Sequence, residues 1–319
     1  MRVVILGGTG VLSTGITKAC LEKGYEIIHF NRGMKSTKYP VQTIVGNRYN
    51  SEDLKKVLQI KPDVIIDMLC FDSKAANMAV EAFKGKVNQY IFCSTSCVYT
   101  PILGKMEITE DRETNPYTEY GKNKLAAEKV FLESNKSGYF HITIFRPSHV
   151  FDDNFTVNNL TMDGFYVFGR MIRGQDVILT EDGKRYFQLC HSDNVGLAFA
   201  EGCENASCYG EIYNIAGEER LTWNEIYRTE CSLLNSKSKI IYLDADKVVE
   251  NDKERLNFLD TYTRYDWIQA VNKLKVDMPG YEYKTSFYDG IKKAIESNYE
   301  NIITNYNEDD LYEKILEKK

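Results

Sequence analysis

Hydrophobic positions in the first half of the chain fall into short unbroken runs that alternate with longer, helically spaced patterns. Val3–Leu6 is a continuous apolar run, as a parallel strand covered on both faces requires. Glycines follow at Gly7, Gly8 and Gly10, then a helical pattern over Gly15–Lys23 that stops at Gly24. Tyr25–Phe30 and Val41–Val45 read as the next strands, Glu52–Leu58 as a helix and Asp63–Leu69 as a fourth strand. A helix at Ala75–Phe83 leads to a strand at Tyr90–Cys93, a helix over Tyr120–Glu133 and a strand His141–Phe145 closed by Arg146-Pro147. Such alternation predicts an α/β fold, a doubly wound parallel sheet with right-handed crossovers.

Beyond Val150 the regularity fades. Residues 152–163 are polar and Asn-rich, His191–Gly202 reads as a helix and Glu211–Ile215 as a further strand. The expected organisation is a dinucleotide-binding domain over residues 1–150, with a return segment near 190–215, and a smaller α/β substrate domain over 151–319. The charged stretch Tyr299–Lys319 is expected as a surface helix.

The glycine turn is the first piece of chemistry. Gly7, Gly8 and Gly10 let backbone N–H groups approach a ligand, and the helix that follows directs its positive end at the same point, where a pyrophosphate would sit. Ser13 stands where a third glycine is common and is small enough to keep helix and strand close. At the end of the second strand, Asn31 and Arg32 replace the acidic residue that holds a ribose 2′-OH, a change that suits a 2′-phosphate, with Lys35 and Ser36 nearby.

Bulk properties narrow the classes. The 319 residues are 43% hydrophobic and 27% charged, ordinary for a soluble globular protein. A net charge of −6 argues against a general nucleic-acid binder. No apolar run reaches the length of a membrane span and no signal-like segment precedes the first strand. Eight scattered Cys and four His with no ligand-like spacing predict no metal site and reduced thiols in a cytoplasmic protein.

Tyr120-Gly-Lys-Asn-Lys124 puts a phenol and an ammonium four residues apart, on one face of a helix. A neighbouring cation lowers a tyrosine pKa and fits it for acid–base work. Tyr288 and Lys292 have the same spacing and read as a surface helix, so context must decide. The context is the segment from Ile91 to Tyr99, with its run of thiol and hydroxyl residues at a strand end, where open α/β sheets bind ligands.

Taken with Ser94-Thr95-Ser96-Cys97-Val98-Tyr99, Arg146-Pro147-Ser148-His149-Val150-Phe151, the Arg185 to Val195 segment and Glu211–Gly217, these motifs resemble the extended short-chain dehydrogenase/reductase superfamily. That group includes the NAD-dependent epimerase/dehydratase family and implies a Rossmann-type sheet. The resemblance implies Tyr120 as general acid/base, Thr95 bonding the reacting substrate oxygen, and Lys124 acidifying the phenol and bonding the nicotinamide ribose. It implies cofactor contacts at Gly7, Gly10, Val11 and Leu12, at Asn31 and Arg32, at Asn47, Arg48 and Met68, and at Pro147 and Ser148. Substrate contacts follow at Thr95, Ser96, His149 and Arg185, the last for a diphosphate. The dehydratases carry an acidic pair after the threonine; Ser96 and Cys97 stand here, which disfavours elimination of water. The Asn31-Arg32-Gly33 and Asp67–Cys70 strand ends resemble a divergent branch that includes chloroplast stem-loop-binding proteins.

The expected function is NAD(P)-dependent hydride transfer on a nucleotide sugar or related carbohydrate, with NADP modestly preferred. The alternatives are a regulatory binding protein on the same fold, which could bind RNA, and a reductase of a non-sugar carbonyl. A homodimer is expected through Met78–Phe83 and Leu125–Phe131, on the argument that their apolar side chains would otherwise be exposed.

Overall fold

The computed structural model describes residues 1–101, 103–104, 106–304 and 310–318. In chain order its strands are β1 (Arg2–Leu6), β2 (Glu26–Asn31), β3 (Gln42–Val45), β4 (Val64–Asp67), β5 (Gln89–Cys93), β6 (His141–Pro147), β7 (His149–Phe151), β8 (Val177–Thr180), β9 (Leu189–His191), β10 (Glu211–Ile215) and β11 (Ile240–Leu243). The helices that position the site are α1 (Val11–Glu22), α2 (Ser51–Lys56), α3 (Ser73–Phe83), α4 (Glu119–Lys136), α5 (Gly164–Ile172), α6 (Ser192–Gly202) and α7 (Trp223–Leu233). They are followed by α8 (Ala245–Val249), α9 (Asn272–Asp277), α10 (Phe287–Thr304) and α11 (Asp310–Glu317).

Seven strands form one parallel sheet in the order β10-β6-β5-β4-β1-β2-β3. The chain turns back between β1 and β4, which pair from Val3–Val64 to Leu6–Asp67, so their carboxyl ends open a crevice. Val3, Val4, Ile5 and Leu6 are wholly buried because helices cover both faces. The fold is the Rossmann-like α/β architecture expected from the pattern.

Several elements add detail to the expected pattern. Helix α1 starts at Val11, directly after the glycine turn as expected and ahead of the Gly15–Lys23 stretch that carries its periodicity; the Ser13 hydroxyl accepts a hydrogen bond from the Gly10 N–H at 2.8 Å and caps the first turn. Ser13 is therefore a cap as well as a small residue. Gly15 is the close-approach glycine: a Cβ there would lie 2.1 Å from the Ser192 carbonyl, at the seam of α1 and α6. Strand β5 ends at Cys93, and the chain then folds into a short turn, Ser96–Val98, with Thr95 accepting from the Cys97 N–H at 3.2 Å.

The remainder of the chain builds a second core around Trp223, Trp267, Phe187 and Tyr227, between α5, α7 and α10 and the small β8–β11 sheet. The C-terminal stretch corrects the surface-helix expectation. It is two helices, and Leu311, Tyr312 and Ile315 of α11 are buried in this core. Residues 305–309 and 319 of that stretch lie outside the described residues.

The argument for a dimer also changes. Phe83 of α3 and Phe131 of α4 are fully buried within the chain's own core, and the outward faces carry Lys74, Asn77, Glu81, Lys122, Lys129 and Glu133. Of the apolar side chains in these segments Met78, Leu125 and Val130 remain half-buried. Among the described residues no helix is long and apolar enough to cross a membrane.

Candidate active site

A cavity of about 510 Å³ opens at the carboxyl ends of β1, β2 and β4, within the range of small-molecule sites. The turn Gly7–Gly10 and the first turn of α1, including Val11 and Leu12, form one wall. Asn31, Arg32 and Lys35 line another, and Asn47, Arg48 and Met68 a third. Tyr120, Lys124, Pro147 and Ser148 do not line this cavity; they stand on the α4 and β6 side of the sheet. The Ser148 hydroxyl there is buried with no partner among the described residues.

Two expected cofactor contacts have other duties. Asn31 donates its amide to the Gly7 carbonyl at 3.0 Å and accepts from the Gly33 N–H at 2.8 Å, so it braces the glycine turn, and the positive charge on this wall is that of Arg32 and Lys35. Neither of those cations is ion-paired among the described residues. Arg48 is buried; it donates to the Asp67 carboxylate at 2.6 Å and to the Ala75 carbonyl at 2.8 Å. Asp67 also accepts from the Tyr90 hydroxyl at 2.5 Å and from the Leu69 N–H at 2.9 Å. Its carboxylate holds the Arg48 guanidinium even further above its ordinary range, against the cost of burial. Arg48 is thus a neutralised wall of the cavity, and its charge is not free for a phosphate. Sequence reading missed Asp67 as its partner; the signal was an acidic residue closing an apolar strand.

The start of α4 carries the expected acid–base residue. Thr118 caps the helix by accepting from the Gly121 N–H at 3.1 Å. A Cβ on Gly121 would lie 2.2 Å from the Cys97 carbonyl, so glycine is required for the helix to seat against the Thr95–Cys97 turn. That close approach seats the first turn of α4, and with it Tyr120, beside the Thr95–Cys97 turn. Ser96 is buried in the turn, and Cys97 is the more accessible of the two.

Lys124 is turned inward. It is 2% exposed, and its ammonium donates to the Cys93 carbonyl at 2.7 Å and the Cys70 carbonyl at 2.9 Å. In the chain alone burial, with Cys97 and Cys93 alongside, pushes the Tyr120 phenol above its usual range. At neutral pH the phenol is a proton donor.

On the second-core side, His149 packs against Phe187, with ring centroids 4.4 Å apart, and edge-on to Phe258 and Tyr262 at 5.5 Å. Burial lowers its pKa to about 3, so the ring is neutral. Arg185 reaches the buried Asp266 at 3.3 Å while remaining partly accessible. Behind the site, Arg146 meets Glu128 through two bonds of 2.9 and 2.6 Å and donates to the Tyr99 hydroxyl at 2.8 Å. Tyr99 in turn donates to Asn214 at 2.9 Å. Arg146 stood in a quoted motif without a role; with Glu128 it locks α4 to β6. Among the described residues no group of His, Cys, Asp and Glu side chains could hold a metal ion.

A parallel doubly wound sheet with a glycine turn at its switch point defines a Rossmann-like fold, and Thr95, Tyr120 and Lys124 stand beside that turn's sheet edge. The chain belongs to the NAD dependent epimerase/dehydratase family, whose model matches residues 3–216. It is 24% identical over 286 residues to the 2′-dehydrokanamycin reductase of Streptomyces kanamyceticus, covering 88% of this chain and 80% of that one. It is also 24% identical to the chloroplast stem-loop binding protein of 41 kDa b of Arabidopsis thaliana, over 70% of this chain and 60% of that protein. A solved UDP-glucose 4-epimerase from Thermotoga maritima superposes with a TM-score of 0.75 at 18% identity, over 95% of this chain and 100% of that one.

Proposed function

We propose that this protein uses a nicotinamide dinucleotide to reduce or epimerise a carbonyl-bearing nucleotide sugar or related carbohydrate. The observation that carries the reading is the seating of Tyr120 beside the Thr95–Cys97 turn, through the close approach of Gly121 to the Cys97 carbonyl, at the carboxyl edge of the sheet and one strand from the glycine-turn cavity. In this reading residues 1–150, with the return segment near 190–215, hold the dinucleotide, and residues 151–319 shape the substrate pocket.

The residues fit such a cofactor. The first-turn amides of α1 point to an anion as helix N-termini do, Arg32 and Lys35 offer free charge, and Ser148 has an unmatched hydroxyl. The bound dinucleotide supplies the hydride. Thr95 and Tyr120 hold the substrate oxygen, and Tyr120 gives or takes its proton at that atom. Lys124, fixed by two carbonyls, would meet the ribose. With its pKa raised by burial, the phenol rests protonated, the form that donates to the substrate oxygen during reduction.

Two outcomes follow. Reduction of the carbonyl by NADPH should be independent of pH between about 6 and about 9, because the acid form of Tyr120 persists there; oxidation should accelerate with rising pH across the same range. A reduction rate that declines tenfold within that window would mean a phenol acidified in the working complex. Arg32→Ala should weaken NADPH binding by about tenfold and NADH little, since a 2′-phosphate adds one charge-assisted pair. Equal losses in titrations of the two would remove the NADP preference. Mass spectrometry of the cofactor carried through purification, followed by turnover assays on keto-sugar nucleotides and free keto-sugars, tests the reading as a whole.

A further inference from the structure

A second cavity, of about 220 Å³, shares no lining residue with the one at the glycine turn. Thr14 and Lys18 of α1, the first turn of α6 and Lys293 of α10 surround it, with Lys38 and Tyr39 from the loop after β2 and Asp152 and Asp153 from the end of β7. Its charges close on one another. Lys18 meets Asp193 at 2.5 Å, Lys293 meets Asp153 at 2.9 Å, and Lys38 stands 3.6 Å from Asp153. Asp152 accepts from the Asn154 N–H at 2.8 Å. With three lysines against three aspartates, the lining holds no surplus charge to draw an ion.

This pairing leaves over one donor and one acceptor. His191 is 2% exposed, and its Nδ1 accepts from the Asp193 N–H at 3.2 Å as the cap of α6, which puts the ring proton on Nε2. Burial lowers the pKa of the ring and keeps it neutral. Nε2 and the Asp153 Oδ1 both lack a hydrogen-bond partner among the described residues, and they stand 3.7 Å apart, beyond bonding length.

Both groups are held at that spacing. Lys293 pairs with the other Asp153 oxygen, and the Asn298 amide donates to the Asp153 carbonyl. The imidazole lies edge-on to Phe151 at 5.2 Å and against α10, where a Cβ on Gly290 would fall 2.8 Å from its Cδ2. A buried donor and acceptor left open cost free energy until a group fills both. One oxygen about 2.8 Å from each atom does so if it accepts from Nε2 and donates to Oδ1. A hydroxyl has both capacities, whereas an ammonium only donates and a carboxylate only accepts. The cavity is also far larger than the about 15 Å³ that one water needs.

We propose that this cavity is a second ligand site, which takes a neutral polyol and seats one of its hydroxyls between His191 and Asp153. The exposed ammoniums of Lys38 and Lys293 are donors for its other oxygens. The site stands apart from the hydride-transfer reading, and its occupant is bound unchanged.

The test uses the full chain and follows two NMR signals: the backbone amide of Asp193, which bonds the His191 ring, and the ring of His149, an expected substrate contact. The probes are myo-inositol, D-glucose and inorganic phosphate. At least one of the two polyols should shift the Asp193 amide saturably at millimolar concentration and leave His149 unmoved. His191→Asn keeps an acceptor for the Asp193 N–H and removes the Nε2 donor. Asp153→Asn keeps an oxygen for Lys293 and puts an amide donor in place of the free acceptor. Each should weaken polyol binding about tenfold, the scale of one hydrogen bond, and if one of them misfolds the other decides. Undiminished affinity in a folded variant, a polyol shift at His149 without one at Asp193, a response to phosphate alone, or no response to any probe overturns the assignment.

Discussion

Tyr120→Phe should lower turnover by about 10²-fold or more while leaving the fold and cofactor affinity nearly unchanged, the scale of losing a positioned acid–base group. The substitution keeps the ring at the mouth of the cleft, beside the Thr95–Cys97 turn, where it is 44% exposed, and removes only the hydroxyl. Single-turnover kinetics with NADPH read the effect directly. Lys124→Ala should differ in kind: it empties a buried site between the Cys70 and Cys93 carbonyls, leaves both acceptors unpaired, and weakens cofactor binding as well as rate. Tyr288→Phe serves as the control, since that phenol lies on the exposed face of α10 and its i+4 lysine pairs with Glu296. Near-normal turnover in Tyr120→Phe would remove the mechanism and revive the alternative of a binding protein built on this fold.

Glu128→Ala should cost about 3–5 kcal/mol of stability, the largest effect expected outside the catalytic set. The carboxylate is 1% exposed and the Arg146 guanidinium 4%, so removing one leaves the other charged and unpaired in the interior. Thermal denaturation followed by circular dichroism should show a midpoint lower by on the order of 10 °C. The exposed pair Lys55–Glu52 is the comparison: its removal should change stability by less than about 1 kcal/mol. If Glu128→Ala melted like the wild type, the network through Tyr99 and Asn214 would be compensating for the lost charge.

Much of this molecule was legible from local pattern. Unbroken apolar runs marked β1, β4 and β5 because strands buried on both faces admit little else, and Glu211–Ile215 was read with its observed bounds. That Glu211–Ile215 would pair with β6 and extend the sheet was not legible, since strand order is set by long-range contacts. The entry of α1 after the glycine turn was legible, but the capping role of Ser13 was not, because Ser13 was weighed only as a substitute for glycine. The C-terminal helix was read as surface because its charges dominate its composition, although Leu311, Tyr312 and Ile315 share one face.

Sequence alone determined the class of sheet, the glycine turn and the spacing of Thr95, Tyr120 and Lys124, because these depend on neighbours within a few residues. Tertiary structure decided what the charged and polar groups do. Arg48 is neutralised by Asp67, nineteen residues away, and Asn31 is spent on Gly7. Lys124 faces two carbonyls, and the Tyr120 phenol is raised by burial. A side chain's partners and the desolvation around it set its proton affinity and its freedom to bind, and both are properties of the packed interior.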